Sequence, residues 1–148
     1  MADLLKIDEH LMRDRIPDDA EDDDSLPTNE RIVEAMQLVR YEEGQEYSPH
    51  HDFAYPPISN RYQPKRFATV LMYLSGADVE GGETVFPKSV TTNKHDGLKV
   101  KPQSGKALVY YNVLPDGNMD DLSQHGGSKV KSGVKYLASI WVWDPIVN

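Results

Sequence analysis

The sequence contains no cysteine among its 148 residues. Disulfide bonds, thiolate metal sites and cysteine nucleophiles are therefore excluded from this chain. No apolar run approaches the ~20 residues that a membrane-spanning helix needs. The N-terminus also lacks the basic region followed by an apolar core that marks a signal peptide. The sequence thus predicts no membrane segment, and it leaves the compartment undetermined.

Basic residues are also scarce. The chain carries 16 Lys and Arg against 24 Asp and Glu, which gives a net charge of −8. A general nucleic-acid-binding protein needs a basic surface, so this balance argues against that class. It favours neutral or basic peptide partners instead. The length fits one domain, and 39% hydrophobic with 27% charged residues indicates a globular protein.

The first 33 residues are predicted to form a helical and acidic segment. Residues 2–16 carry apolar side chains at helical spacing, which indicates a short amphipathic helix. An acidic run follows at residues 17–24. It lacks the glycine and the closing glutamate of a calcium loop, so it is interpreted as a solvated connection. A second short helix is predicted to start at Pro27 and run through Val33.

From Glu34 onward the pattern changes to short β-branched and aromatic runs that are separated by turn residues, with no helix signal between them. Gly81-Gly82 and Gly126-Gly127 are interpreted as breaks in the chain. Strands are predicted at residues 36–41, 47–52, 66–74, 84–86, 98–101, 106–112 and 135–143. This series predicts a two-sheet antiparallel jelly roll or barrel over residues 34–148.

The strongest chemical signal lies in the predicted strand at residues 47–52. Because an extended strand sends alternate side chains to opposite faces, His50 and Asp52 should point one way and His51 the other. His125 is the best candidate for a third, distant ligand. Two histidines and one carboxylate leave coordination positions open, which suits Fe(II) in oxygen-using enzymes. A β-bulge in this strand would instead exchange Asp52 for the neighbouring histidine.

An iron centre of this kind needs a second electron source, most often a 2-oxo acid whose far carboxylate is held by a cation. Lys135 lies at the start of the last predicted strand, where an unpaired charge would be costly to bury. A cosubstrate carboxylate would pair with it, and Tyr41 and Thr84 can donate hydroxyl groups to the same carboxylate. Each residue also has a structural interpretation: the lysine can reach solvent, and the other two can pack as strand residues.

Several stretches together resemble the collagen-type prolyl 4-hydroxylases. Residues 41–52 are similar to the first metal segment of that family, and residues 66–74 and 81–87 are similar to the next two segments. Further motifs follow in the same order: residues 98–102, 105–108 and 115–117, and Lys135 with Trp141. The resemblance covers about residues 34–143, and it is specific because many separate motifs occur in sequence with suitable gaps.

The resemblance implies a double-stranded β-helix (jelly roll), which together with the residue patterns predicts a mainly β fold with short N-terminal helices. It implies Fe(II), 2-oxoglutarate as cosubstrate, ascorbate as reductant, proline in a peptide as the hydroxylated group, and the endoplasmic reticulum as the compartment. By resemblance the metal ligands are His50, Asp52 and His125. The 2-oxoglutarate ligands are Lys135, Tyr41 and Thr84. The residues that line the peptide and the reacting centre are Arg66, Tyr47 and Trp141, although the last two can simply pack and Arg66 can form a structural salt bridge.

The sequence departs from the family pattern in three places. Ser128 and Lys129 stand where the family often has cysteine and proline, and Tyr136 stands where a tryptophan commonly follows the lysine. Before Tyr41 the family has a longer region of helices and strands, where this sequence has a short acidic segment.

Three other functions are open. A related oxygenase could act on another side chain or a small molecule, but lysyl hydroxylases usually carry arginine in place of Lys135. A truncated, non-catalytic jelly-roll binding module is a second alternative, although it would have no reason to keep three ligands and Lys135 together. A hydrolytic zinc enzyme is disfavoured because no clear general base lies beside the metal.

Overall fold

The computed structural model describes residues 32–53, 66–90 and 97–144. The predicted helix at residues 2–16 and the acidic run at 17–24 lie outside these ranges. The predicted helix through Val33 is wrong at its C-terminal end, because Val33 is extended and forms a β-bridge with Val142. Within the described ranges, no helix is long and apolar enough to cross a membrane.

The described residues form ten strands, as the mainly β prediction requires. The first five are β1 (Gln37–Tyr41), β2 (Tyr47–His50), β3 (Arg66–Tyr73), β4 (Glu80–Gly81) and β5 (Thr84–Phe86). The others are β6 (Leu98–Val100), β7 (Ala107–Tyr111), β8 (His125–Gly127), β9 (Val130–Ser132) and β10 (Lys135–Trp143). One four-stranded sheet has the order β1-β10-β3-β7, a second has the order β2-β8-β5-β6, and β4 pairs with β9. All pairings are antiparallel, which is the predicted jelly-roll arrangement.

The β1-β10-β3-β7 sheet has apolar residues on both faces, as strands buried on both sides require. Leu71, Tyr73 and Leu137 form a buried cluster on one face, and Val100 of the other sheet packs against it. This cluster therefore lies between the two sheets. A second buried cluster, which contains Ile32, Val33, Ala68 and Val142, packs on alternate residues of the same strands and so covers the opposite face.

The prediction that Gly126-Gly127 breaks the chain is wrong. Both glycines lie in β8, which pairs with β2 on one side and β5 on the other. A Cβ atom on Gly126 would lie 2.7 Å from the carbonyl oxygen of Tyr47 and 3.0 Å from the nitrogen of Pro49. Glycine is therefore required here because the β2 backbone approaches so closely.

The pairing of β2 with β8 is irregular. Tyr47 pairs with Gly127 and His50 with His125, so β2 has one more residue than β8 between these two pairs. Such a bulge bends the strand and redirects its side chains. The regular strand ends at His50 rather than at residue 52. His50 and His125 nevertheless face each other directly across the two strands.

We expect Gly126→Ala to lower the free energy of unfolding by about 1–3 kcal/mol, because the new methyl group would overlap the β2 backbone. The matched control is Gly127→Ala. Its Cβ would meet its nearest atoms at 3.7–3.8 Å, which is ordinary contact. The control should stay within about 1 kcal/mol of wild type. Urea unfolding of both variants measures the difference, and equal effects would contradict the proposed close approach of β2.

Candidate metal centre

His50, Asp52 and His125 come together where β2 meets β8. One ligand atom of each lies within 4.8 Å of the others. His50 Nε2 is 3.5 Å from Asp52 Oδ1, and His125 Nε2 is 3.6 Å from Asp52 Oδ2. His51 instead places its Nε2 3.3 Å from Asp121 Oδ1. The bulge in β2 thus leaves His50 and Asp52 on the same side, as alternation predicts, and His51 outside the group of three.

Both histidines of the group have a defined tautomer. His50 Nδ1 lies 2.9 Å from the carbonyl oxygen of Ser48, and His125 Nδ1 lies 3.0 Å from the carbonyl oxygen of Ser123. A carbonyl oxygen only accepts hydrogen bonds, so Nδ1 carries the proton in each neutral ring. The lone pair is then on Nε2, the atom nearest Asp52. This is the donor arrangement that a transition metal needs.

Asp52 is buried, with 6% of its surface exposed. Burial alone would raise the pKa of its carboxyl group, but His50, His125 and the hydroxyl of Thr69 outweigh burial and lower this pKa well below its usual range. The group is therefore an ionised carboxylate. Burial lowers the pKa of His125, which favours the neutral imidazole that binds metals.

Three residues that the sequence analysis missed form a hydrogen-bond network at this carboxylate. Thr69 Oγ1 donates a hydrogen bond of 2.8 Å to Asp52 Oδ2, and Tyr110 Oη lies 3.0 Å from the same oxygen. Asn112 Nδ2 donates to Thr69 Oγ1 at 2.9 Å. Thr69 and Asn112 interrupt apolar stretches in or next to buried strands, and buried polar groups need partners. A polar residue in an apolar stretch therefore indicates a buried hydrogen bond, although the sequence does not show which residue is its partner.

The structure brings all nine predicted site residues to the wall of one cavity of about 380 Å³. The metal triad lies on this wall. The other six lining residues from the prediction are Tyr41, Tyr47, Arg66, Thr84, Lys135 and Trp141. Side chains from both four-stranded sheets therefore face a common space, as the jelly-roll prediction requires.

Lys135 is the buried cation of this cavity, with 2% of its surface exposed. Among the described residues, no carboxylate forms a salt bridge with its ammonium group. Nζ lies 5.1 Å from the ring centre of Tyr41 and 5.8 Å from that of Tyr73. Burial lowers the pKa of Lys135 to about 8, against a smaller opposing effect of Glu83. A buried ammonium without an anionic partner is unfavourable, so this position fits an anionic ligand.

Tyr41 and Thr84 bring hydroxyl groups to the cavity that Lys135 lines. Tyr73, a fully buried residue that the sequence analysis missed, donates a hydrogen bond of 2.6 Å from Oη to Thr84 Oγ1. The hydrogen of the Thr84 hydroxyl is therefore left to donate elsewhere. Burial raises the pKa of Tyr41, so its phenol also remains a donor. An ammonium and hydroxyl donors on the wall of one cavity form a suitable setting for a carboxylate.

Arg66 forms a structural salt bridge, which the sequence analysis gave as the alternative to a role in peptide binding. Its Nε and Nη2 donate to Glu34 Oε1 and Oε2 at 2.6 and 2.9 Å. The guanidinium also lies 4.2 Å from the ring centre of Trp141. Trp143 donates its indole N–H to Glu34 Oε1 at 2.6 Å. Arg66 lines the cavity and is held rigidly there by Glu34, a residue that the sequence analysis missed.

Tyr47 and Trp141 border the cavity in different ways. Tyr47 is 53% exposed, and its ring centre lies 4.2 Å from that of His50. Trp141 is half-buried, and its indole N–H makes no hydrogen bond of standard geometry among the described residues but helps to lower the pKa of the nearby Asp52 carboxyl group. Tyr47 thus offers an aromatic surface next to the metal triad, and Trp141 adds a second one against Arg66.

Comparison with known proteins identifies a family. The sequence model described as the 2OG-Fe(II) oxygenase superfamily matches residues 36–143. The Arabidopsis thaliana protein named "Probable prolyl 4-hydroxylase 10" is 39% identical over 121 residues, which cover 74% of this chain and 42% of that protein. "Prolyl 4-hydroxylase 2" of the same plant is 39% identical over 123 residues, which cover 74% of this chain and 41% of that protein.

A solved structure is also similar. The viral collagen prolyl hydroxylase of Paramecium Bursaria Chlorella virus-1, in its complex with 2OG, is 32% identical with a TM-score of 0.60. The similarity covers 75% of this chain and 59% of that chain. This likeness agrees with the jelly-roll fold described above. The chain spans about two fifths of the length of the curated relatives it matches.

We expect His50→Ala and Asp52→Ala to reduce Fe(II) affinity by more than about 100-fold, because each removes a ligand rather than the supporting partner of one. His51→Ala is the matched control and should bind Fe(II) much as wild type does, since its side chain contacts Asp121. Anaerobic competition with a coloured chelator measures the affinities. Equal losses in all three variants would exclude the proposed ligand set.

Proposed function

Because the chain belongs to the 2OG-Fe(II) oxygenase superfamily, we propose that it hydroxylates proline residues in peptides with Fe(II), O₂ and 2-oxoglutarate. One observation carries the proposal: a two-histidine, one-carboxylate cluster lines the same cavity as a buried lysine that forms no salt bridge with any described carboxylate. The names of the similar plant and viral proteins support proline as the target. Residues 34–148 would be the catalytic unit.

His50, Asp52 and His125 would hold the iron through Nε2, a carboxylate oxygen and Nε2. The donor set fits, because both Nδ1 protons are directed to backbone carbonyls and the carboxyl group is ionised. Bound Fe(II) with 2-oxoglutarate supplies the oxidising chemistry, in which one oxygen atom of O₂ enters the substrate C–H bond and the other enters succinate as CO₂ leaves. Ascorbate is the proposed reductant.

Lys135, Tyr41 and Thr84 would bind the distal carboxylate of 2-oxoglutarate. A Cβ atom on Gly127 would lie 3.7 Å from Lys135 Nζ, so this glycine leaves space next to the ammonium group. The ammonium would form a charge-assisted hydrogen bond with the carboxylate, and the two hydroxyl groups would donate to its remaining lone pairs. The same contact would remove the cost of burying an unpaired lysine.

Tyr47, Arg66 and Trp141 would position the peptide. Proline-rich peptides are already ordered as polyproline II helices, so their binding loses little conformational entropy. Aromatic surfaces such as Tyr47 and Trp141 suit the faces of proline rings. Because Glu34 uses Nε and Nη2 of Arg66, the remaining N–H groups of the guanidinium would donate to a peptide carbonyl from a fixed position. Such positioning holds the target C–H bond close to the metal.

Lys135→Met should weaken 2-oxoglutarate binding by roughly tenfold to a hundredfold, since a charge-assisted hydrogen bond contributes about 1.5–3 kcal/mol. Lys135→Arg should also bind 2-oxoglutarate poorly, because a planar guanidinium does not replace an ammonium group. Calorimetric titration of the Zn(II)-loaded protein measures the affinity. Lys131→Met, a change at an exposed position of β9, is the matched control.

The same titration should depend on pH. Lys135 has a pKa of about 8, and only its protonated form attracts a carboxylate. The affinity for 2-oxoglutarate should therefore be full below this pKa and should fall as the pH is raised through it. Lys135→Met should lose this dependence. Unchanged 2-oxoglutarate affinity in Lys135→Met would refute the assignment of this residue.

The proposed activity is tested by incubating proline-rich peptides with the protein, Fe(II), 2-oxoglutarate and ascorbate. We expect mass spectrometry to show the gain of one oxygen atom, at C4 of proline, and no reaction of free proline. His125→Ala is the inactive control. Oxidation of a lysine peptide or a free amino acid instead would show a related oxygenase. A folded, metal-loaded sample that neither decarboxylates 2-oxoglutarate nor oxidises any peptide would favour a binding module.

A further inference from the structure

Tyr110 reaches the metal triad from outside the cavity. It lies in β7 and lines a separate, mostly apolar groove of about 360 Å³, together with Phe86, Leu108 and Leu122. Its ring centre is 5.2 Å from that of Phe86 and 4.9 Å from that of His125. Tyr110 therefore extends from this groove to the triad, which lines the other cavity.

The phenol oxygen of Tyr110 contacts two members of the triad. Oη lies 3.0 Å from Asp52 Oδ2 and 2.8 Å from His125 Nε2. Because His125 Nδ1 donates its proton to Ser123, Nε2 is an acceptor in the neutral ring. The single O–H of Tyr110 thus has two acceptors within reach, and it can donate to one of them at a time.

We propose that Tyr110 and Thr69 are positioning residues that together hold Asp52 Oδ2 and so present Oδ1 to the metal. This inference rests on one part of the proposed function, namely that the triad binds a metal ion. A metal ion would occupy the lone pair of His125 Nε2 and leave Asp52 Oδ2 as the acceptor for Tyr110. The phenol therefore supports His125 in the metal-free protein and Asp52 in the metal-bound protein.

The contacts of the carboxylate support this division of its oxygens. Oδ2 accepts from Thr69 at 2.8 Å and lies 3.0 Å from Tyr110 Oη, so both of its lone pairs would be used once Tyr110 donates to it. Oδ1 lies 3.5 Å from His50 Nε2 and Oδ2 lies 3.6 Å from His125 Nε2, so the donors Thr69 and Tyr110 are what distinguish the two oxygens. Thr69 is itself fixed by Asn112, so its hydroxyl cannot turn away freely. Without these two donors, the carboxylate could rotate about its Cβ–Cγ bond and lose its orientation.

The phenol of Tyr110 remains a donor in this setting. A tyrosine hydroxyl carries one hydrogen, and an ionised carboxylate offers only acceptor oxygens. Ionised carboxylates form strong hydrogen bonds with O–H donors. Partners that orient a metal ligand typically contribute roughly 10–100-fold to metal affinity. Tyr110 and Thr69 should therefore be detected in metal binding itself, without any measurement of hydroxylation.

The test is Co(II) binding to Tyr110→Phe, which keeps the ring and removes the hydroxyl group. We expect its Co(II) affinity, measured by chelator competition, to fall by roughly tenfold or more. Its ligand-field absorption bands should also shift, since the carboxylate is held differently. Tyr111→Phe is the matched control: Tyr111 is 47% exposed and packs against Phe67. This control should bind Co(II) with the affinity and spectrum of wild type.

Thr69 provides an independent pair of variants if Tyr110→Phe folds poorly. Thr69→Val keeps the side-chain shape and removes the donor, whereas Thr69→Ser keeps a hydroxyl group. We expect Thr69→Val to weaken Co(II) binding and Thr69→Ser to restore most of it. Wild-type Co(II) affinity and spectrum in either Tyr110→Phe or Thr69→Val would overturn the proposal. A protein that binds Co(II) as expected but hydroxylates no peptide would refute only the proposed function.

Discussion

The buried Asp52 carboxylate is the constraint on which the site depends. An ionised group at 6% exposure is stable only if several partners compensate for the loss of water. Those partners come from both four-stranded sheets: Thr69 on β3 and Tyr110 on β7, and the histidines on β2 and β8. The carboxylate therefore ties the two sheets together at the place where the metal would bind. Any change that separates the sheets would also remove partners from this charge.

Lys135 gives the same cavity a second, opposite charge. It begins β10 and is as deeply buried as Asp52, yet in the described ranges no salt bridge joins it to any carboxylate. Two buried charges that line one cavity without pairing favour a ligand that contacts both regions. A 2-oxo acid with a distal carboxylate would meet this requirement, because the proposed site places a metal ion for its oxo end and an ammonium group for its carboxylate. The presence of both buried charges on one cavity wall thus favours such a ligand on chemical grounds.

Local patterns predicted the parts of the structure that depend on local geometry. Strand alternation separated His50 and Asp52 from His51, and apolar runs located β3, β5, β7 and β10 within one or two residues. Features that depend on distant partners were missed. Glycine is usually a strand breaker, so β8 could be recognised only from the close approach of Tyr47 and Pro49. Similarly, nothing near Arg66 in the sequence indicates that Glu34 forms its salt bridge.

The two histidines of the triad show how local and distant effects are divided. Each follows a serine by two residues, and each directs Nδ1 to the carbonyl oxygen of that serine. The tautomer is therefore set within three residues of chain, on two different strands, and it does not depend on the sheets. The orientation of Asp52 has the opposite origin, because its donors lie 17 and 58 residues away. Ligand chemistry is thus encoded locally in this chain, whereas ligand geometry requires the completed fold.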